Sequence, residues 1–326
     1  MSEEAVQAEL REAAGRIRAY GEAQGLSDRE LVRRFPGLGS ERVWTRIAAG
    51  DLDGVNAAQW VQEYQGVLAS IEVLREHADG DDPLYDDLTT VLDLRAAVAE
   101  AMKERGLNRL VIFQGPQGCG KTTAALLLRA KYGSRVVFAE ATELWRENCN
   151  VMLGGLLEAF GVQHAPTPAY EKWHLLVGPG GHLVRRRVCL IVDEAHHLGP
   201  RSLNMVKSLI NCTPGEVVIL AMGTLWRRLE TAAYEEARQL TQNRLLERIR
   251  SDGIEPADAE KFCARALGLA AGEAKAAAAA LCQAAGMNGN LAFLKLVCRR
   301  ARRLAGKGAV TVEVVKRAAG QVVASR

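Results

Sequence analysis

Residues 109–123 read RLVIFQGPQGCGKTT, and the fold follows from that stretch. Leu110 to Phe113 form a short, wholly apolar run of the kind that makes a buried strand. It runs into Gly115-Pro116-Gln117-Gly118-Cys119-Gly120-Lys121-Thr122, which fits GxxxxGK[ST] in full, and then, with Thr123, into the helical sequence KTTAALLLRAKYG. A strand, a glycine-rich turn and a helix in that order gather backbone N–H groups around a polyphosphate. The glycines let the backbone close in, Lys121 is placed to neutralise β- and γ-phosphate oxygens, and the Thr122 hydroxyl to ligate Mg²⁺. The loop and Thr123 are therefore the expected ATP-binding segment, with ATP and Mg²⁺ as cofactors.

Further along, VCLIVDE (188–194) is a second apolar run, ending on two carboxylates. In a parallel sheet it brings Asp193 to the edge where the glycine-rich loop opens. Asp193 is the expected second Mg²⁺ ligand, and Glu194 the base that orients and deprotonates an attacking water. RVVFAEA (135–141) and VVILAMGT (217–224) complete a set of four nearly continuous apolar strands separated by helical sequence. That pattern predicts an α/β sandwich whose parallel sheet is covered on both faces. Thr224 at the end of the last strand is a small polar group expected to contact the γ-phosphate or the attacking water. The stretch QNRLLERIR (242–250) carries three arginines. One of them, Arg248 first and Arg244 second, is expected to reach a neighbouring subunit's γ-phosphate and stabilise transition-state charge there.

Asp193-Glu194-Ala195-His196 also spells a helicase motif, but such enzymes need two tandem cores and this chain has room for one. His196 and His197 are adjacent and lack a recognised metal-ligand spacing. The seven cysteines, Cys119, Cys149, Cys189, Cys212, Cys263, Cys282 and Cys298, are scattered singly and support neither a zinc site nor a disulfide framework. No apolar run approaches the ~20 residues that cross a bilayer, and the Met1 end is polar and acidic, so a cytoplasmic protein without membrane contact is expected.

At 326 residues, with 48% hydrophobic and 25% charged side chains, the chain is of ordinary globular composition and long enough for about two domains. Upstream of the first strand it reads as helices. Ser27-Asp28-Arg29-Glu30 is a capping box, Pro36-Gly37-Leu38-Gly39 is a break, and Ser40 caps a second short helix carrying Val43, Trp44 and Ile47. A longer helix from about Asn56 lines up Trp60, Tyr64, Val67, Leu68 and Ile71. Two short helices across a glycine-containing turn resemble a helix-turn-helix module. From Pro256 the chain is helical and alanine-rich, with three or four helices expected.

The net charge of +3 conceals an asymmetry: 12 acidic against 2 basic side chains over Asp51–Glu100, and 9 basic against 1 acidic over Lys295–Arg326. A basic end favours a polyanion such as nucleic acid. Candidate phosphate contacts are Lys207, Arg146, Arg185, Arg186 and Arg187, with Arg33, Arg34, Arg42 and Arg46 in the helix-turn-helix.

Together these residues resemble the AAA+ ATPase superfamily. Within it, the order of the parts is similar to the transposition protein B family of Mu-like phages, ATP-dependent target-DNA adaptors. The similarity runs through WVQEYQGVL (60–68), the glycine-rich loop, DEAHHLG (193–199), LAMGT (220–224), RLLERI (244–249), MNGNLAFLKLVCRRA (287–301) and GKGAVTVEVVKRA (306–318). It implies a helix-turn-helix DNA-binding module over 1–77, a linker over 78–88, an AAA+ core over 89–253 and a helical lid over 254–326. The implied fold is an α/β three-layer sandwich with a parallel sheet, a C-terminal helical lid and an N-terminal all-α module. The resemblance further implies an ATPase that assembles into a helical filament on double-stranded DNA with little sequence preference, marks target DNA and stimulates a DDE transposase. Hydrolysis then takes the filament apart. One departure stands out: the family's lid arginine after a Gly-x-Leu step is absent from Gly289-Asn290-Leu291-Ala292, and Lys295 or Arg299 is expected in its place. The alternatives are an ATP-gated helix-turn-helix transcriptional regulator and a nucleotide-binding scaffold without turnover. Glu194 argues against the scaffold.

Overall fold

The structure, a computed structural model, describes residues 3–78, 85–162, 164–185, 187–306 and 308–325, and of 73–78 the backbone alone. Chain contacts divide it into two compact units, residues 1–80 with 126–137, and residues 81–125 with 138–326.

The first unit holds α1 (Glu3–Ala23), α2 (Asp28–Arg34), α3 (Glu41–Ala48) and α4 (Ala57–Ala78), with a 3₁₀ turn over Pro36–Leu38 between α2 and α3. The capping box forms as the sequence predicts: Glu30 N–H donates to Ser27 Oγ and Ser27 N–H to the Glu30 carboxylate. Ser40 caps α3 through Val43 N–H. The core is apolar and fully enclosed, with Leu10, Ile17, Trp44, Tyr64 and Val67 among its members. Trp44 donates its indole N–H to Asp28 Oδ1 at 2.6 Å, which pins α3 to the start of α2.

The second unit begins, among described residues, with Tyr85 and α5 (Thr89–Ala101). It continues through β1 (Leu110–Gln114), α6 (Lys121–Tyr132, whose second half is grouped with the first unit), β2 (Val136–Glu140), α7 (Cys149–Ala159) and α8 (Ala169–Val177). Then come β3 (Cys189–Asp193), α9 (Pro200–Cys212), β4 (Glu216–Ala221), α10 (Gly223–Leu229), α11 (Glu235–Arg244) and β5 (Leu245–Arg250). Four lid helices close the chain: α12 (Pro256–Leu267), α13 (Ala271–Asn288), α14 (Asn290–Ala305) and α15 (Val312–Ala324). The sheet order is β2-β3-β4-β1-β5. β1 runs parallel to β4 and β5, and β3 parallel to β4. β3 and β4 are buried at every position, because helices cover both faces. Register Gln114↔Ala221 and Val192↔Ile219 aligns the carboxyl ends of β1, β4 and β3 at one edge. There the loop after β1 and the acidic end of β3 meet.

Two expectations need correction. A fifth strand exists: QNRLLERIR is the end of α11 followed by β5, where the sequence offered arginines and no strand. β5 sits at the sheet edge with three of its six residues exposed, two half-buried and only Ile249 buried, so it lacks the continuous apolar signal of the central strands. The strand VVILAMGT ends at Ala221, and Thr224 is the second residue of α10, not a strand tip. Of the expected linker, residues 79–84 lie outside the described residues. Residues 85–89 are bound to α12: Arg265 donates to both oxygens of Asp87, Lys261 to the Asp87 carbonyl, and Thr89 N–H to buried Asp258. Tyr85 meets Phe262 edge-on, ring centroids 5.0 Å apart.

Candidate functional site

The loop between β1 and α6 is held from both sides. Gly118 has φ +73°, and a Cβ there would come within 2.2 Å of the Gly289 carbonyl oxygen, so only glycine allows the start of α14 to approach. Asn290 donates Nδ2–H to the Gln117 carbonyl at 3.1 Å, and Thr90 donates its hydroxyl to the Cys119 carbonyl at 3.2 Å. Lys121, 7% exposed, spans the loop and donates to the carbonyls of Gly115 (3.0 Å) and Pro116 (2.9 Å). Its ammonium thus sits at the centre of the turn, with no carboxylate paired to it among the described residues. Cys119 is buried beneath the loop, and that burial pushes its thiol pKa up, making it a packing residue and not a nucleophile.

Asp193, 2% exposed, closes the site from below. It accepts the Thr122 hydroxyl at Oδ2 (2.5 Å) and Glu194 N–H at Oδ1 (2.8 Å). A hydroxyl and a carboxylate oxygen brought together at the start of α6 are the hard donors that suit Mg²⁺. Glu194 follows in a left-handed conformation, φ 50°. Among the described residues one other non-glycine has positive φ, Asn290 at 54°. Both strained positions flank the same cavity, where strain is expected to serve function. Glu194 Oε2 stands 3.1 Å from His196 Nδ1. Burial lowers the His196 pKa below the ordinary histidine value, against the opposing pull of Glu194, so the ring is neutral near pH 7.

The cavity so enclosed has a volume of about 270 Å³. Gln117, Gly118, Gly120, Lys121, Thr122 and Thr123 line it from the loop and α6, Glu194 and His196 from the end of β3, and Met222 from the turn into α10. The lid contributes Leu291, Ala292 and Lys295. A polyphosphate fits these residues: the glycine-rich loop and one buried ammonium line the cleft, and the Thr122 hydroxyl beside them is bonded to buried Asp193. Gly115, Pro116 and Cys119 serve through their carbonyls and lie behind the lining.

The other residues expected at the site are distributed differently. Thr224 is half-buried with a hydroxyl that has no hydrogen-bond partner among the described residues, while Met222 of the same turn reaches the cavity. Arg248 projects from β5 within its own chain, bonding Gln114 Oε1 through Nε (3.2 Å) and Nη2 (2.7 Å). Arg244, half-buried at the end of α11, donates to Asn211 Oδ1 (2.8 Å) and the Asn243 carbonyl. Lys295 lines the cavity, and Arg299 lies one helical turn further along α14. His196 and His197 stack with ring centroids 4.3 Å apart, and His197 pairs with Glu143 at 2.9 Å, so each histidine has its own carboxylate. The sequence pointed to neither Asn290 nor Thr90 nor Gln114 as part of the site. A clue to Asn290 was available, since asparagine after glycine at a helix junction tolerates positive φ.

Of the arginines and lysines considered for DNA, Arg187 is spent in an ion pair with buried Glu216 beneath the sheet. Arg46 is bonded to Asp51, Arg146 pairs with Glu143, and Lys207 bonds Gln239. Arg33, Arg34, Arg42 and Arg185 are exposed. Arg186 lies outside the described residues.

Residues 88–229 match the family described as AAA domain. No curated protein sequence matches this one. Among solved structures, the chain is similar to the ORC2 protein of Aeropyrum pernix in its ADP form, at TM-score 0.54 and 13% identity, over 71% of this chain and 67% of that one. It is similar to Cdc6p from Pyrobaculum aerophilum at TM-score 0.54 and 16% identity, over 73% of this chain and 69% of that one. At such identities the likeness bears on fold alone. The parallel five-stranded sheet, the glycine-rich loop and the helical lid make this an AAA+ fold built on an AAA domain over residues 88–229.

Proposed function

We propose that the chain hydrolyses ATP, and that nucleotide state governs its assembly on duplex DNA, where it acts as a target-DNA adaptor for a DDE transposase. The observation that carries the reading is the convergence of Lys121, the Thr122–Asp193 pair and Glu194 on one cavity. ATP with magnesium supplies the electrophilic phosphorus and the charge that the loop is built to hold. Lys121 offsets that charge from the loop centre, and the Thr122 and Asp193 oxygens would hold the metal. Glu194 is half-exposed at the cavity wall and takes the proton from an attacking water. His196 stands beside it, Nδ1 3.1 Å from the carboxylate. Lys295 serves as the lid's cation in place of the missing arginine.

The DNA and transposase parts of the proposal are supported by the end-to-end order of sequence elements, the exposed arginines of the helical module and the basic lid end. An arginine acting in trans would make hydrolysis depend on a neighbour, and a head-to-tail interface that does not close generates a filament. Both arginines are engaged inside their own chain, Arg248 with Gln114 and Arg244 with Asn211 and the Asn243 carbonyl, so either would have to leave those partners to act in trans. Electron microscopy and sedimentation with random duplex DNA test the reading. Assemblies are expected with ATP and absent with ADP, and equal behaviour with the two nucleotides would refute it. A sequence-specific regulator would instead prefer one site by roughly 10³–10⁷ over random DNA.

A further inference from the structure

Arg248 lies on the exposed edge strand, yet its side chain turns inward over the sheet. Its guanidinium carbon sits 3.5 Å from the centre of the Trp226 ring on α10, a close cation–π stack. Two of its N–H groups converge on a single acceptor, Gln114 Oε1. Trp226 is itself held by its indole N–H donating to Glu230 at 3.0 Å. Register explains the meeting. Arg248 pairs with Ile112 and Arg250 with Gln114, so Arg248 and Gln114 point to the same face of neighbouring strands.

Gln114 is the residue immediately before the phosphate-binding loop. Because its oxygen is taken by Arg248, its amide nitrogen must face the other way, toward the start of α10. A Cβ added at Gly223 would lie 2.9 Å from that nitrogen, which shows how closely the amide abuts the turn. Met222, lining the cavity, and Thr224, with its unpartnered buried hydroxyl, flank Gly223 on either side. One amide thus meets the edge strand on one side and the turn that carries Met222 of the cavity wall on the other.

We infer that Arg248 is a positioning residue acting in its own subunit: through Trp226 and Gln114 it sets the Met222–Thr224 turn against the nucleotide cavity. This inference rests on the hydrolytic reading of the cavity, and wild-type turnover tests that reading separately.

The experiment is steady-state ATP hydrolysis by the full chain, together with nucleotide binding and thermal unfolding, for wild type, R248A, R248K and Q114L. For R248A we expect kcat to fall about tenfold with KM for ATP within about twofold, because the turn is misplaced while the loop is intact. R248K keeps the charge over Trp226 but loses the forked donors, and falls in between. Mixing R248A with excess E194Q protein, which carries an intact Arg248, should leave the defect in place. Restoration on mixing would make Arg248 a trans residue and overturn the inference, as would a kcat for R248A within about twofold of wild type. Should R248A fail to fold, Q114L carries the test, since it leaves Arg248 and Trp226 in place. A kcat loss at constant KM supports the inference, and unchanged kcat refutes it. Absence of turnover in wild type, with ATP binding intact, would strike the hydrolytic reading instead.

Discussion

Lys121 and Glu194 illustrate how differently two charged residues can be treated at one site. Lys121 is almost wholly buried and bonded to two carbonyls and the Cys119 sulfur of its own loop, an arrangement that costs desolvation unless anionic oxygens share the space. Lys121→Ala should therefore abolish nucleotide affinity, and DNA assembly with it, in a binding titration with a fluorescent ATP analogue. Glu194 is strained in backbone but half-exposed in side chain, the opposite balance. Glu194→Gln keeps the shape and removes the base. It should retain ATP binding, lower phosphate release by about 10²–10⁴-fold and give unusually persistent DNA complexes. Rapid dissociation of those complexes would contradict the timing role of hydrolysis. Both residues were legible from the linear motifs, because each function depends on immediate chain neighbours. The company they keep was not: His196 read as part of a helicase motif, and only the turn after β3 brings it beside Glu194.

At the scale of elements, the segment entering α5 is tied to the lid by the Asp87–Arg265 pair and by Asp258 at the first N–H of α5. The Asp87 carboxyl is held below the usual aspartate range, chiefly by the hydrogen bonds from Arg265 and against a desolvation effect of opposite sign. A depressed carboxyl pKa gives stability that is complete above the ordinary value of about 3.9 and is lost as pH falls through the lowered value. The pair is largely solvent-exposed, so its contribution is about 1 kcal/mol or less. Asp87→Asn should accordingly lower the melting temperature slightly at pH 7 and by less at pH 3. An equal loss at the two pH values would argue that packing, not charge, holds the segment. Strands β1, β3 and β4 were legible as apolar runs because both their faces are buried. β5 was not, because an edge strand buries one face in part and carries charge elsewhere. The same limit applied to Thr224: its neighbours Ala221 and Met222 continue the apolar run, so the sequence has no marker where strand yields to helix.

For the whole molecule, the acidic balance over Asp51–Glu100 and the basic balance over Lys295–Arg326 bear on how the protein meets a polyanion. Binding to random duplex through phosphates should weaken linearly in a plot of log affinity against log salt, with a slope of about −0.9 per phosphate neutralised. A slope near zero, measured by fluorescence anisotropy with ATP present, would exclude backbone-dominated binding. No described helix is long and apolar enough to cross a membrane.

By itself the sequence determined what depends on local order: the strand–loop–helix that cradles phosphate, the acidic pair ending a buried strand, the capped helices of the first unit and the helical lid. These rest on short-range sterics, hydrogen bonding and hydrophobic period, which are written along the chain. Only the tertiary structure decided which side chains converge. Asn290 bonds the loop from 173 residues away, Arg248 is folded onto Trp226 and Gln114, and Arg187 is buried against Glu216. The reason is that a charged or amide side chain carries the same local signal whether it faces water or a partner, and its partner is chosen by strand order and register.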